Sequence, residues 1–166
     1  MGIAKLLLER TDVNPDSLDH CGRTPLSSAS ETGQVAIMEL LLRRKEINPD
    51  SPDHCGRTPL SWAAENATVD IVEILLRHEK VNPELPDNCG RTPLSWAAEN
   101  WLVDIVEVLL KHEKVSPDLT DNCGRTPLSW TAGSREQRHP MQPCTYKGNP
   151  QGVVELFIPP ARGCQT

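Results

Sequence analysis

The heptapeptide Cys-Gly-Arg-Thr-Pro-Leu-Ser occurs four times in this chain, starting at Cys21, Cys55, Cys89 and Cys123, each 34 residues from the last. A second marker keeps the same period, at Asn14-Pro15, Asn48-Pro49, Asn82-Pro83 and Ser116-Pro117. A fixed repeat of this length restricts the chain to a stack of like modules, because each is one supersecondary unit too small to bury its own apolar side chains. The register gives a partial unit over 1–18, units over 19–52, 53–86 and 87–120, an interrupted terminal unit over 121–158 and a tail over 159–166. Phe and Tyr occur once each among 166 residues, which suits many small cores better than one large one.

Within a unit, Asp53-His54-Cys55-Gly56 predicts a turn, in which the Asp side chain bonds nearby backbone and Gly permits positive φ. Thr58-Pro59 then opens a helix: the hydroxyl caps free amides, and Pro at the first helical position loses no hydrogen bond. Leu60, Trp62, Ala63 and Ala64 give that helix apolar bulk and small side chains for close approach. A second helix begins near Thr68, with Val69, Ile71, Val72, Ile74, Leu75 and Leu76 over most of its circumference and Asp70, Glu73 and Arg77 as its polar stripe. The next unit repeats the stripe with Asp104, Glu107 and Lys111. Helices this short are marginal alone and need neighbours on both flanks. The segment Val81–Asp87, with two prolines, reads as an extended finger or hairpin loop. The expected fold is an all-α solenoid of stacked helix-turn-helix units with finger loops.

The pattern Asp-x-x-Gly-Arg-Thr-Pro-Leu-Ser-Trp-Ala-Ala-Glu-Asn, followed by Val-Asp-Ile-Val-Glu-x-Leu-Leu, resembles the ankyrin repeat over roughly residues 1–132. Its details are similar to the ankyrin arrays of filamentous fungi. The resemblance implies a protein-protein interaction scaffold that binds through finger tips and first helices. Carried over position by position, that surface is His20, Cys21, Arg23, His54, Cys55, Arg57, Asn88, Cys89, Arg91, Asn122, Cys123 and Arg125, with Glu65, Asn66, Glu99 and Asn100 on the first helices. An alternative reading is a fragment of a larger fungal nucleotide-dependent sensing protein whose array is C-terminal. Three departures stand out. Ser27, Ser61, Ser95 and Ser129 replace the family's His, which implies fewer hydrogen bonds between repeats. The glycine of the inter-helix turn is present as Gly33 but becomes Ala67 and Trp101, where a left-handed residue is preferred. After Ala132 the pattern breaks, and an insertion over about 133–150 splits the last unit before Gly152-Val153-Val154-Glu155-Leu156-Phe157.

Chemistry-bearing residues fall into translated sets. His20 and His54, and His78 and His112, are copies at repeat spacing, whereas a catalytic centre needs different groups converging on one point. No phosphate-binding Gly-x-x-x-x-Gly-Lys loop is present in the sequence. No catalytic residue, metal or cofactor is therefore expected. The repeated cysteines stand about 8–10 Å apart if helices separate them, beyond the ~7 Å limit between Cα atoms for a disulfide, so free turn thiols are expected; Cys144 and Cys164 are less constrained. The arginine and aspartate ladders have two readings, turn-stabilising partners or an exposed strip for a partner. Trp62, Trp96 and Trp130 fit packing between repeats better than ligand stacking, and Trp101 is either an interface anchor or cover for the missing glycine. A net charge of −6 with interspersed signs argues against nucleic acid. The apolar run that Glu9 and Arg10 interrupt is too short for a signal peptide or membrane span, which gives an intracellular expectation and no membrane partner.

Overall fold

A computed structural model describes residues 2–10 and 12–132. The insertion expected over about 133–150, the tail, His139, Cys144 and Cys164 lie outside the described residues. Helices follow in the order α1 (Gly2–Leu8), α2 (Pro25–Thr32), α3 (Val35–Leu42), α4 (Pro59–Glu65), α5 (Val69–Leu76), α6 (Pro93–Glu99), α7 (Val103–Leu110) and α8 (Pro127–Ala132), with no strand among the described residues. First helices α2, α4, α6 and α8 stack in one row, and second helices α1, α3, α5 and α7 in another, each pair joined by a short turn. The helical solenoid expected from the repeat is the fold observed.

Local chemistry sets these bounds. Thr24, Thr58 and Thr92 hold extended backbone and accept the amides of Ser27, Ser61 and Ser95, and proline follows each cap. The serine hydroxyls turn back onto the capping threonines at 3.2–3.3 Å, so they act within a module rather than across modules. Leu26, Leu60 and Leu94 of the first row and Met38, Ile71, Leu75, Ile105 and Leu109 of the second form one continuous buried core. That core lies between modules as much as within them, which is why no module is self-sufficient. The polar stripe of α5 faces solvent, where Arg77 donates to Glu73 at 2.6 Å.

The inter-helix turns keep the left-handed conformation even where glycine is gone. Gly33 has φ 71°, Ala67 φ 59° and Trp101 φ 58°. A side chain there costs roughly 1–2 kcal/mol, partly offset by the smaller unfolded-state entropy of a non-glycine residue. Ala67 is exposed, so Ala67→Gly should raise stability by up to about 1 kcal/mol in urea denaturation; a destabilised variant would contradict strain at this turn.

A second ladder joins the finger loops. Carboxylates of Asp16, Asp50 and Glu84 accept the backbone amides of Asn48, Asn82 and Ser116 in the following module at 3.0, 2.8 and 2.7 Å. Burial pushes the Asp50 carboxyl above its usual range, against the opposing pull of the Asn82 amide and His78.

Candidate partner-binding surface

Each finger is a turn built on one aspartate. Asp53 Oδ1 accepts the amides of Cys55 at 2.8 Å and Arg57 at 2.9 Å, and the Asp53 amide donates to the Arg57 carbonyl at 3.0 Å. The same bonds recur at Asp19, Asp87 and Asp121. At Asp19 burial raises the carboxyl pKa, but the Arg23 amide, the Arg23 guanidinium and the Cys21 amide together hold it below its usual value. A depressed folded pKa means that its contribution to stability is present at neutral pH and lost as pH falls through the carboxylate range.

The finger glycine is required by close approach as well as by φ. At Gly56, φ is 78°, and an added Cβ would stand 2.5 Å from Asn88 Oδ1 and 2.8 Å from the Asn88 backbone nitrogen. That proximity lets neighbouring fingers bond. The amides of His54, Asn88 and Asn122 donate to the carbonyls of Cys21, Cys55 and Cys89 at 3.1, 2.9 and 3.0 Å. Asn88 and Asn122 add side-chain bonds to the carbonyls of His54 and Asn88. The tips therefore form a backbone-bonded row along which His20, His54, Asn88 and Asn122 are exposed, with Cys123 exposed beside Asn122.

The arginines turn inward from the tips. Arg57 and Arg91 are buried, and their guanidiniums lie between indoles. Arg57 is 3.7 Å from the Trp62 ring centre and 4.1 Å from that of Trp96; Arg91 is 3.4 Å from Trp96 and 5.8 Å from Trp130. Arg23 is 5.8 Å from Trp62, and Arg125 is 3.7 Å from Trp130. Glu31, Glu65 and Glu99 on the first helices pair with Arg23, Arg57 and Arg91. The aspartate's outer oxygen accepts the guanidinium at Asp19, Asp87 and Asp121, but the Trp62 indole N–H at Asp53. Stacking on aromatic faces suits the planar guanidinium and is strongest when desolvated. The polar ladder is thus a structural column.

Cys21, Arg57 and Arg91, placed on the binding surface by the resemblance, are buried, so a partner meets them only through the residues that cover them. Arg23, Cys55, Cys89, Arg125, Glu65, Glu99 and Asn100 are half-buried, while Asn66, Trp101 and Cys123 are exposed. Asn66 and Asn100 donate back to the carbonyls of Trp62 and Trp96, closing the first helices. Trp101 stands at the far end of α6 from the tips, about 10 Å away along seven residues of helix. Glu31 belongs with Glu65 and Glu99 but was absent from the sequence-based set, although the repeat spacing points to it. The carboxylates of Asp16, Asp50 and Glu84 were missed too, and their recurrence every 34 residues is the signal that finds them.

Cys55 and Cys89 carry thiols; the expectation of free thiols fails at Cys21, whose sulfur is in a disulfide. That disulfide also takes Cys21 out of the Asp19, His20 and Cys21 group, whose possible ligand atoms lie within 4.8 Å of one another among the described residues. At Cys55, burial and then the charge of Asp53 push the thiol pKa up. Cys55 should therefore react with iodoacetamide at mildly alkaline pH several-fold more slowly than glutathione, as read by peptide mass mapping. Equal rates would contradict the enclosed environment.

No helix among the described residues is long and apolar enough to cross a membrane. The family model described as "Ankyrin repeats (3 copies)" matches residues 1–87 and again residues 70–139. No curated protein matches the chain.

Proposed function

Because the chain belongs to the ankyrin-repeat family, whose repeats are generally protein-interaction modules, we propose that it is a non-enzymatic intracellular scaffold that docks a partner protein along its finger row and first helices. The observation that carries this reading is the division of labour at the fingers. Aspartate, arginine and glutamate are spent on the column inside, while His20, His54, Asn88 and Asn122 stand exposed in a backbone-locked row. A preformed row loses little conformational freedom on binding. The partner fits between this row and Trp101, which is 56% exposed at the opposite end of the first helices. An exposed indole on a strained turn is the type of group that anchors interfaces.

The test is affinity capture with the intact chain, followed by titration of each saturable partner against variants. Trp101→Ala is expected to weaken binding by about thirtyfold, equivalent to roughly 2 kcal/mol, with stability changed by less than about 0.5 kcal/mol. His54→Ala with Asn88→Ala should weaken it further. Capture that yields no saturable partner, or partners indifferent to all three substitutions, would overturn the assignment of this surface.

A further inference from the structure

The two central modules carry one buried donor more than their aspartate serves. Oδ1 of Asp53 and of Asp87 holds the finger amides, which leaves Oδ2 for two claimants, the Nε–H of the module's own arginine and the N–H of its own indole. The modules resolve the contest oppositely. Asp53 Oδ2 accepts the Trp62 indole N–H at 3.1 Å, and Arg57 Nε is buried without a hydrogen-bond partner among the described residues. Asp87 Oδ2 accepts the Arg91 Nε–H at 3.2 Å, and there it is the Trp96 indole N–H that is buried without one. Yet Asp53–Asn66 and Asp87–Asn100 are the same sequence except at His54 and Asn88. One sequence in two arrangements means that their free energies lie close. The cause is symmetric: each arrangement satisfies one donor and strands the other, so the penalty of a stranded donor is common to both. The first complete module has Ser28 in the indole's place and therefore no contest, and Asp19 Oδ2 accepts the Arg23 Nε–H at 2.9 Å.

The place of the arginine changes with the choice. Arg57, which its aspartate's outer oxygen does not hold, lies 3.7 Å from its own indole and 4.1 Å from Trp96 in the next module. Arg23 and Arg91, both held through Nε, stand 5.8 Å from the next module's indole. The longer distance is at the outer edge of the roughly 6 Å reach of a cation–π contact, and the shorter is well inside it. We propose that the contested oxygen makes these modules two-position elements, in which the aspartate's choice of donor sets the module's grip on the one that follows. With the indole on the aspartate, the arginine is free to stack across the junction. With the arginine on the aspartate, the junction loses that stack and keeps its apolar core and finger bonds. The same carboxylate holds the finger through Oδ1, so finger, column and next module meet at one side chain. The junction between α4 and α6 is the gripped one in this structure.

Nitrogen-15 NMR of the full chain, with side-chain N–H signals assigned outward from the backbone, reads both donors. A hydrogen bond to a carboxylate moves the donated proton downfield. In wild type the Trp62 indole proton is expected downfield of the Trp96 one, and the Arg91 Nε proton downfield of that of Arg57. Trp62→Phe keeps an aromatic face at a half-buried position but removes the competing N–H. The Arg57 Nε proton should then move downfield to the Arg91 position, as Ser28 already allows for Arg23. The Trp96 indole, untouched by the substitution, should shift as the guanidinium withdraws from its face. Coincident Trp62 and Trp96 indole protons in wild type would overturn the proposal, and that comparison needs no variant. An Arg57 signal unmoved in Trp62→Phe would overturn it too. Movement of Arg57 without movement of Trp96 would show competition with no effect across the junction, which equally removes the proposed grip.

Discussion

Replacing Asp87 with alanine is expected to destabilise the protein by about 3 kcal/mol or more in urea denaturation. The Asp87 carboxylate accepts the Cys89 and Arg91 amides at 2.8 and 2.9 Å and the Arg91 guanidinium at 3.2 Å. Its removal frees two turn amides and leaves a buried cation with Glu99 as its one remaining carboxylate among the described residues. Breaking a buried pair from one side is severe because the other charge stays in a dry site. Asp87→Asn should lose roughly half as much, since an amide oxygen still accepts the turn amides but supplies no charge. A loss below about 1 kcal/mol for the alanine variant would show that the finger is held by something other than its aspartate.

Trp96→Ala is expected to cost about 3–5 kcal/mol, in the range of large aromatic deletions from a core. Trp96 is the fully enclosed indole of the column, with a guanidinium on each face at 4.1 and 3.4 Å. Deletion removes its buried area and both cation contacts, and opens a gap between two charged groups. Trp62 is half-buried and its indole N–H is bonded to Asp53, so its removal should be milder. Asp87 and Trp96 act through the same Arg91, and the double variant should therefore lose less than the sum of the single losses. Strict additivity would mean that the column is a set of independent contacts.

Much of this architecture was legible because repetition makes a sequence its own control. Spacing alone located the capped first helices, the apolar second helices and the solvent-facing stripe of Asp70, Glu73 and Arg77. The inter-helix turn could be placed as well, but spacing left open whether Ala67 and Trp101 remodel it or bear the strain of the conformation that Gly33 marks, and the structure shows that they keep positive φ. What spacing left open was direction. Arg57 in a turn is compatible with an exposed grip or an inward stack, and the choice depends on Trp96 arriving from the next module, a contact that no single module contains. The same holds for the Asp50 carboxylate, whose acceptor role needs the Asn82 amide of the following finger. For the proposed binding surface, translated copies gave the row but not its exposed members, because Cys21 and Arg91 share the turn with His20 and Asn88 and differ only in which way they face.

The central claim is that each module is stable only through its neighbours, and native-state hydrogen exchange at low protein concentration tests it most directly. The account predicts the slowest amides in α4 and α6, which are flanked on both sides, and progressively faster exchange toward α1 and α8 at the ends of the described stack. Uniform protection across all helices, or greatest protection in an end helix, would contradict it.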